Sequence, residues 1–411
     1  MNSLYDFDVT PPLLLKRFKE GIYLHILDKL RKLIFLPFFT RMLDTAGIGI
    51  LNLIYVTCAL IMPVFELNLK TGAIPFLSEE KNQEEIYKIL NAVVFYSLLS
   101  TLILCLAMIS PILMNDPHLL NICLAFAFYV FSNNLKEVSS LIHQSFQKTE
   151  FLLKFLCIIG YLSSIVSIVF LFAGLFIPGI IWAESIVMFG SGLWLLYVLF
   201  KSGWKFNLNF SKKFNDILNL SISTTPVRLF QWIIRSLDSY LILLFYDTSS
   251  VGIYAVAYMF ASPVLSFEMA INFMWVPNFS RLYSESKDKA LKMIKRALKF
   301  ITLSFVSIII LYLILLKKLI IIIAGNEYVE SYLVCLIIVL AFFFYCLGKL
   351  FEGVLFSFKK GKSIFSAYLT GMILNVMFNI ILIPVYALKG ASVATLISYC
   401  ATFLIMYLRS R

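Results

Sequence analysis

Residues 89–114, ILNAVVFYSLLSTLILCLAMISPILM, run for twenty-six positions without a charged side chain. A helix of about twenty apolar residues crosses the roughly 30 Å hydrocarbon core of a bilayer, so this stretch is long enough to span one. A second run, FLCIIGYLSSIVSIVFLFAGLFI at 155–177, is equally free of charge. No water satisfies stray backbone groups inside a bilayer, so only helices and closed barrels cross it. These runs are too long for transmembrane strands and lack period-two alternation. The expected fold class is therefore an all-α integral membrane protein. Composition agrees: 61% of the 411 residues are hydrophobic and 14% charged, with a mean hydropathy of +0.90, where a soluble domain carries about a quarter charged residues.

Twelve spans are expected, at approximately 22–40, 48–69, 89–114, 119–142, 153–175, 179–200, 220–246, 252–276, 298–317, 332–355, 364–383 and 391–408. The longest polar stretch, KSGWKFNLNFSKKFNDIL at 201–218, divides them six and six. The expected organisation is a cytoplasmic segment at 1–21, a first lobe at 22–200, a cytoplasmic inter-lobe loop at 201–218, a second lobe at 219–408, and a cytoplasmic end at 409–411. Residues 1–21 carry acidic side chains and two prolines, and lack the apolar core and cleavage site of a signal peptide.

Orientation follows from the lysine and arginine bias. With both ends cytoplasmic, 23 of the 35 basic residues fall inside and 4 outside. The net charge of +12 then reflects topology and contact with anionic lipid, so nucleic acid is not an expected partner. The outer loops, near 116, 249, 327 and 386, are too short for a folded catalytic domain. All seven cysteines (Cys58, Cys105, Cys123, Cys157, Cys335, Cys346 and Cys400) lie in apolar runs without a CxxC pair, and histidine occurs three times. They read as small hydrophobes, with no metal and no cofactor expected.

The two lobes look like distant copies. TAGIGILNLIYV (45–56) aligns with SSVGIYAVAYMF (249–260) at an offset of 205, matching Gly47 to Gly252. PFLSEE (75–80) echoes RLYSES (281–286), and PGIIWAESI (178–186) echoes KGASVATLI (389–397). Together they suggest two six-helix repeats related by pseudo-twofold symmetry, a plan common to transporters with a central site.

Charges inside the spans are the candidate site. On a helix Arg228, Gln231, Arg235 and Asp238 share one stripe, and in the first span His25, Asp28, Lys29 and Lys32 share another, with Arg31 to the side. A charge at the bilayer centre costs roughly 2.5–3.5 kcal/mol on the insertion scale, and such groups usually line a pathway or a water-filled space. Two plainer readings compete: snorkelling lysines on an interfacial first helix, and an Arg235–Asp238 ion pair formed by their three-residue spacing. Further polar candidates within spans are Asn68, Lys70, Asn133, Asn134, Lys136, Glu268, Asn272, Lys349 and Glu352.

FLPFFTRMLDTAGIGILN (35–52) resembles the opening of the polysaccharide-transporter branch of the multidrug/oligosaccharidyl-lipid/polysaccharide exporter superfamily. The resemblance continues through LSISTTPVRLFQWIIRSLDSYLILLFYDTSSVGIYAVAYMFASPV (220–264), FMWVPNFSRLY (273–283), AGNEYVES (324–331) and NVMFNIILIPVYALKGASVATLIS (375–398). It covers nearly the whole chain. It implies a Wzx-type flippase of a bacterial cytoplasmic (inner) membrane, moving an undecaprenyl-pyrophosphate-linked oligosaccharide of O-antigen or capsule to the outer leaflet. Membrane lipids are then partners, with a polysaccharide polymerase and a chain-length regulator as further candidates. The first span departs from the pattern, with five charges between 28 and 41.

A pyrophosphate needs cationic donors and a glycan needs polar groups before either enters a bilayer. Lys29, Lys32, Lys70, Lys136, Arg228, Gln231 and Arg235 are the expected headgroup site, with Asp28, Asp238 and Glu268 for coupling or charge balance. Alternating access is the expected mechanism, with no ATP, because the chain has no P-loop. Two rivals remain: a drug or cation antiporter of the same superfamily, expected to have an acidic cavity, and an integral-membrane polymerase or ligase, expected to have a large catalytic loop.

Overall fold

The computed structural model describes residues 11–80, 82–109, 117–145, 149–201, 204–268, 271, 279, 287–358 and 360–410. Among them twelve α-helices follow one another: α1 (Pro11–Met42), α2 (Thr45–Phe65), α3 (Leu69–Glu79), α4 (Gln83–Ile109), α5 (Pro117–Ser145), α6 (Thr149–Phe172), α7 (Phe176–Lys201), α8 (Phe214–Phe245), α9 (Thr248–Ala261), α10 (Lys287–Ile323), α11 (Ser331–Ser357) and α12 (Gly361–Ser410). Helix α12 has two arms, because Ala387 breaks it with φ 49° and ψ −130°. Those arms are the expected spans 364–383 and 391–408. The segments NDPH near 116, FMWVPNFSRLY and RLYSES, with Asn272, lie wholly or mainly outside the described residues.

The multi-span all-α fold is as expected. Eight described helices are long and apolar enough to cross a membrane, and they carry nine of the twelve expected spans. Helices α1, α5 and α8, at 32, 29 and 32 residues, carry charged side chains within their length. A helix that combines such length with internal charge has to bury a polar stripe away from lipid. By contrast α6 and α10 expose Ile158, Val169, Phe172, Ile310, Ile314 and Ile322, which is the composition of a lipid-facing surface. Helix α3 was not foreseen. It starts after Leu67 and Asn68, both left-handed at φ 49° and 55°, which cuts the expected span 48–69 short.

The helices gather into two units, Ile54–Leu229 on the one hand and Pro11–Leu53 with Phe230–Arg411 on the other. Helices α2 and α8 each contribute to both. The expected lobes, 22–200 and 219–408, follow the repeat in the sequence. Packing instead groups α1 with the later helices.

In the first unit α5 packs on α4, α6 and α7, and α6 on α7. Leu90, Val93, Val138, Ile142, Leu199, Trp204 and Ile217 form one core, and Cys58, Met62, Leu104, Ala125, Tyr129 and Ile181 a second. The polar stretch after α7 is no free loop. Trp204 is 2% exposed, and Asn91 donates to the Lys205 carbonyl at 3.4 Å and to Asn207 Oδ1 at 3.0 Å.

In the second unit α11 packs on α12, α9 and α10, and α1 on α9 and α10. The starts of α2 and α9 are reciprocal. Asp44 Oδ1 accepts the Gly47 N–H at 2.7 Å, and Asp247 Oδ1 accepts the Ser250 N–H at 2.7 Å. The latter bond holds the Asp247 carboxyl below its ordinary range. A Cβ on Gly49 would overlap the Thr248 carbonyl, and one on Gly252 would overlap the Thr45 carbonyl. The equivalent pairs, Asp44/Asp247, Thr45/Thr248 and Gly49/Gly252, stand 203 residues apart. The expected offset of 205, which matched Gly47 to Gly252, is therefore wrong by two. The offset of 211 between PGIIWAESI and KGASVATLI is in register: the left-handed residues Phe176 (φ 43°) and Ala387 (φ 49°) match at that spacing.

Candidate functional site

In the second unit α8 turns Gln231, Arg235 and Asp238 toward one side, while Ile234 and Ile242 are buried. Arg235 is 44% exposed, its guanidinium lying 5.4 Å from the centroid of the Tyr345 ring on α11. Its Nη2 donates to the Tyr345 hydroxyl at 3.1 Å. That hydroxyl donates in turn to Glu268 Oε1 at 2.6 Å, and Glu268 Oε2 lies 4.0 Å from Arg235 Nη2. Tyr345 thus relays between cation and carboxylate. It holds the guanidinium by one hydrogen bond, with part of the side chain's surface uncovered.

One turn further along α11, Lys349 pairs with Glu352 at 2.9 Å, and Glu352 Oε2 accepts from the Tyr368 hydroxyl at 2.5 Å. The Lys349 ammonium lies 5.8 Å from the centroids of both Tyr345 and Tyr368. Gln231 lies beside Tyr368, and Tyr399 beside Arg235. From α1, Lys29 has Lys32, Asp28, Arg235 and Glu268 as charged neighbours.

Two expectations about pairing need correction. No ion pair joins Arg235 to Asp238. The Asp238 carboxylate is 1% exposed and is caged by hydroxyls. Tyr254 donates to it, as do Thr395 at 3.3 Å, Tyr258 at 3.4 Å and the Ser239 N–H at 2.9 Å. Arg31, expected to fall to the side, pairs with Asp28 through Nη2 and Nε, both at 3.1 Å. Lys32 is exposed.

The other expected residues belong to the first unit. Glu66, at the end of α2 and 2% exposed, pairs with Lys70 of α3 at 2.8 Å. Lys70 reaches Asn134 Oδ1 at 3.4 Å. Asn134 donates to the Ser97 carbonyl at 2.9 Å and to Thr101 at 2.5 Å. Lys136 pairs with Glu137 at 3.3 Å, Asn68 donates to Thr224 at 3.1 Å, and Arg228 is exposed on α8. Each unit thus holds a cation tethered to a carboxylate and a neutral acceptor, Lys70–Glu66–Asn134 in one and Arg235–Glu268–Tyr345 in the other.

Sequence reasoning missed Glu66 and the tyrosines 345, 368 and 399. The signal for Tyr345 was present, since Tyr345, Lys349 and Glu352 recur at i, i+4 and i+7 on one helical face. Glu66 sits at the end of its apolar run and reads as an interfacial residue. With Glu268 and Glu352 included, the second cluster is less cationic than α1 and α8 alone suggest.

The sequence from 21 to 283 matches the family described as "Polysaccharide biosynthesis protein". No curated protein matches the chain. Among solved structures, one described as an inward-facing multidrug resistance MATE family transporter of the MOP superfamily aligns with a TM-score of 0.71 and 13% identity, over 93% of this chain and 94% of that one. Lipid II flippase MurJ, in an inward closed conformation, aligns with a TM-score of 0.70 and 19% identity, over 96% and 87%. A MOP superfamily transporter from Pyrococcus furiosus aligns with a TM-score of 0.65 and 14% identity, over 96% and 93%. At these identities the likeness is one of fold.

Proposed function

This chain belongs to the polysaccharide biosynthesis protein family, and from that premise we propose that it is a flippase for a lipid-linked oligosaccharide. Its substrate is an undecaprenyl-pyrophosphate-linked repeat unit of O-antigen or capsule, carried from the cytoplasmic to the outer leaflet of a bacterial inner membrane. The observation that carries this reading is the half-exposed guanidinium of Arg235. It lies inside α8, has Lys29 as a charged neighbour, and gives one N–H to Tyr345 at 3.1 Å.

Arginine suits bidentate contact with phosphate, and lysine supplies a point charge. Lys29, Lys32 and Arg235 of the second unit receive the pyrophosphate in this proposal, while Arg228, Lys70 and Lys136 stay candidate substrate contacts of the first unit. Gln231 offers the glycan an amide. The Glu268 carboxylate competes with phosphate for Arg235, so the bound anion is released once the site reopens. Asp238 and Glu268 are the candidates for proton coupling, and Asp28 neutralises Arg31. The lysine and arginine bias favours cytoplasmic termini. No covalent bond of the substrate changes, and a polymerase and chain-length regulator act on the product afterwards.

Tyr345, Tyr368 and Tyr399 with Glu268 and Glu352 favour a second reading, an organic-cation antiporter. One experiment separates the two. Purified protein in liposomes should move a fluorescent lipid-linked oligosaccharide between leaflets and leave it chemically intact. Export of a lipophilic cation, without movement of the glycolipid, would decide for the antiporter.

A further inference from the structure

Helix α10 is one of the eight helices long and apolar enough to cross a membrane, and only 11% of its most apolar stretch is buried, the lowest share among them. Its two sides differ along the whole length. Ala290, Ile301, Phe305, Leu316 and Ile320 are buried, and Ile294 and Leu298 are half-buried. Their helical spacing puts them on the side that packs against the protein. The opposite side changes character once. From Phe300 onward it exposes Leu303, Val306, Ile310 and Ile314. Before that point it carries Lys292, Lys295, Arg296 and Lys299, all exposed and spaced i, i+3, i+4 and i+7 on one face.

Two observations say what this charged face meets. Among the described residues, none of the four cations has an ion-pair or hydrogen-bond partner, whereas Lys70, Lys88, Lys213 and Lys349 each pair with a carboxylate. Like charges three and four residues apart on a helix repel, so the stripe weakens the helix unless anions lie against it. The second observation is its depth. Residues 300–316, seventeen in all, carry no charge and end at Lys317 and Lys318. At 1.5 Å per residue they span about 26 Å, close to the roughly 30 Å of a hydrocarbon core. Lys299 therefore stands at one edge of the core, and the stripe rises about 10 Å beyond it, at the level of lipid headgroups.

We propose that Lys292, Lys295, Arg296 and Lys299 form a docking site for the headgroups of anionic glycerophospholipids, whose acyl chains lie on the exposed apolar face of α10. Basic side chains immediately beyond a spanning segment attract such headgroups. A second copy of the chain fits the same face poorly, because twofold pairing along α10 would set each stripe beside its own like charges. The site is separate from the glycolipid site proposed above and does not depend on it.

The test uses the full chain in mild detergent, exposed to equal amounts of phosphatidylglycerol and phosphatidylcholine with the same acyl chains, with retained lipid counted by native mass spectrometry. Phosphatidylglycerol should be retained about tenfold in preference. Glutamine at all four positions of the stripe should lower that preference by at least about fivefold, the worth of a single basic residue near an anionic surface. A matched variant with glutamine at Lys88, Lys213, Lys360 and Arg409 removes the same charge from side chains that the protein itself engages, and should keep the preference. Independently of any variant, backbone amides of segment 287–300 should exchange at least about threefold more slowly in nanodiscs of phosphatidylglycerol than of phosphatidylcholine. Equal retention of the two lipids, the same loss in both variants, or exchange that ignores the headgroup would each overturn the proposal.

Discussion

Replacing Arg235 is the sharpest test of the headgroup site. The guanidinium gives one N–H to Tyr345 at 3.1 Å and lies 4.0 Å from Glu268, leaving an edge for a phosphate. A bidentate guanidinium–phosphate contact consists of two charge-assisted hydrogen bonds, each worth about 1.5–3 kcal/mol. The side chain is 44% exposed, so solvent screening argues for the lower end, about 3 kcal/mol in all. Arg235→Ala should therefore slow flipping in liposomes by on the order of a hundredfold, at unchanged membrane abundance. Arg235→Lys keeps the charge but loses the fork, and should slow it by about tenfold. Lys317→Gln, on an exposed position of α10, should leave the rate unaltered. The reasoning is refuted if Arg235→Ala flips substrate at the unaltered rate, or if Lys317→Gln is equally impaired.

The reciprocal crossing of α2 and α9 leaves no room at Gly49 or Gly252, so Gly49→Ala should cost about 1–3 kcal/mol through overpacking against backbone. Gly190→Ala, with open space around it, should melt at or slightly above the unaltered temperature, and equal melting of all three proteins would disprove the tight crossing. Asp238→Ala strands the Tyr254 hydroxyl and should destabilise by about 1–3 kcal/mol, whereas Asp238→Asn retains acceptor capacity and should fold. If Asp238 carries the coupling proton, the Asn protein should flip substrate no faster when a pH gradient is imposed; full stimulation would assign it a purely structural part. Cysteines introduced at Ser249 and Asn326 should react with an impermeant thiol reagent outside spheroplasts and one at Ser363 should not, and the opposite pattern would invert the topology.

The span count was legible because long apolar runs leave the chain few alternatives. The helices with charged side chains inside their length, α1, α5 and α8, carry Lys29, Asn134 and Arg235, so their polarity itself marked the polar clusters. Less legible was the grouping of α1 with the later helices, since nothing in its own residues says which neighbours cover it. The register of the repeat was misread for a specific reason. Gly47 and Gly252 invite alignment as glycines, yet Gly47 meets only its own turn, at Asp44 and Leu43, while Gly49 meets the Thr248 backbone. The equivalent residue is the one that needs a missing side chain. That need appears only when two helices are brought together.

The same distinction governs the site. A three-residue spacing puts Arg235 and Asp238 on one face of α8, and on an isolated helix such a pair gains a few tenths of a kcal/mol. That is too little to decide the outcome against tertiary partners. The short Asp238 carboxylate is buried and reached by donors sixteen, twenty and 157 residues away, so its hydrogen-bonding needs are met without a cation. The long Arg235 side chain extends past that cage to Tyr345 and Glu268, where much of it stays exposed. Burial separates the two charges into different tasks, one held within the packing of α8, α9 and α12, the other presented at the surface of the cluster. A pair that neutralised itself would leave no cation for an anionic headgroup; a cation held loosely at 4.0 Å from Glu268 is still available to one.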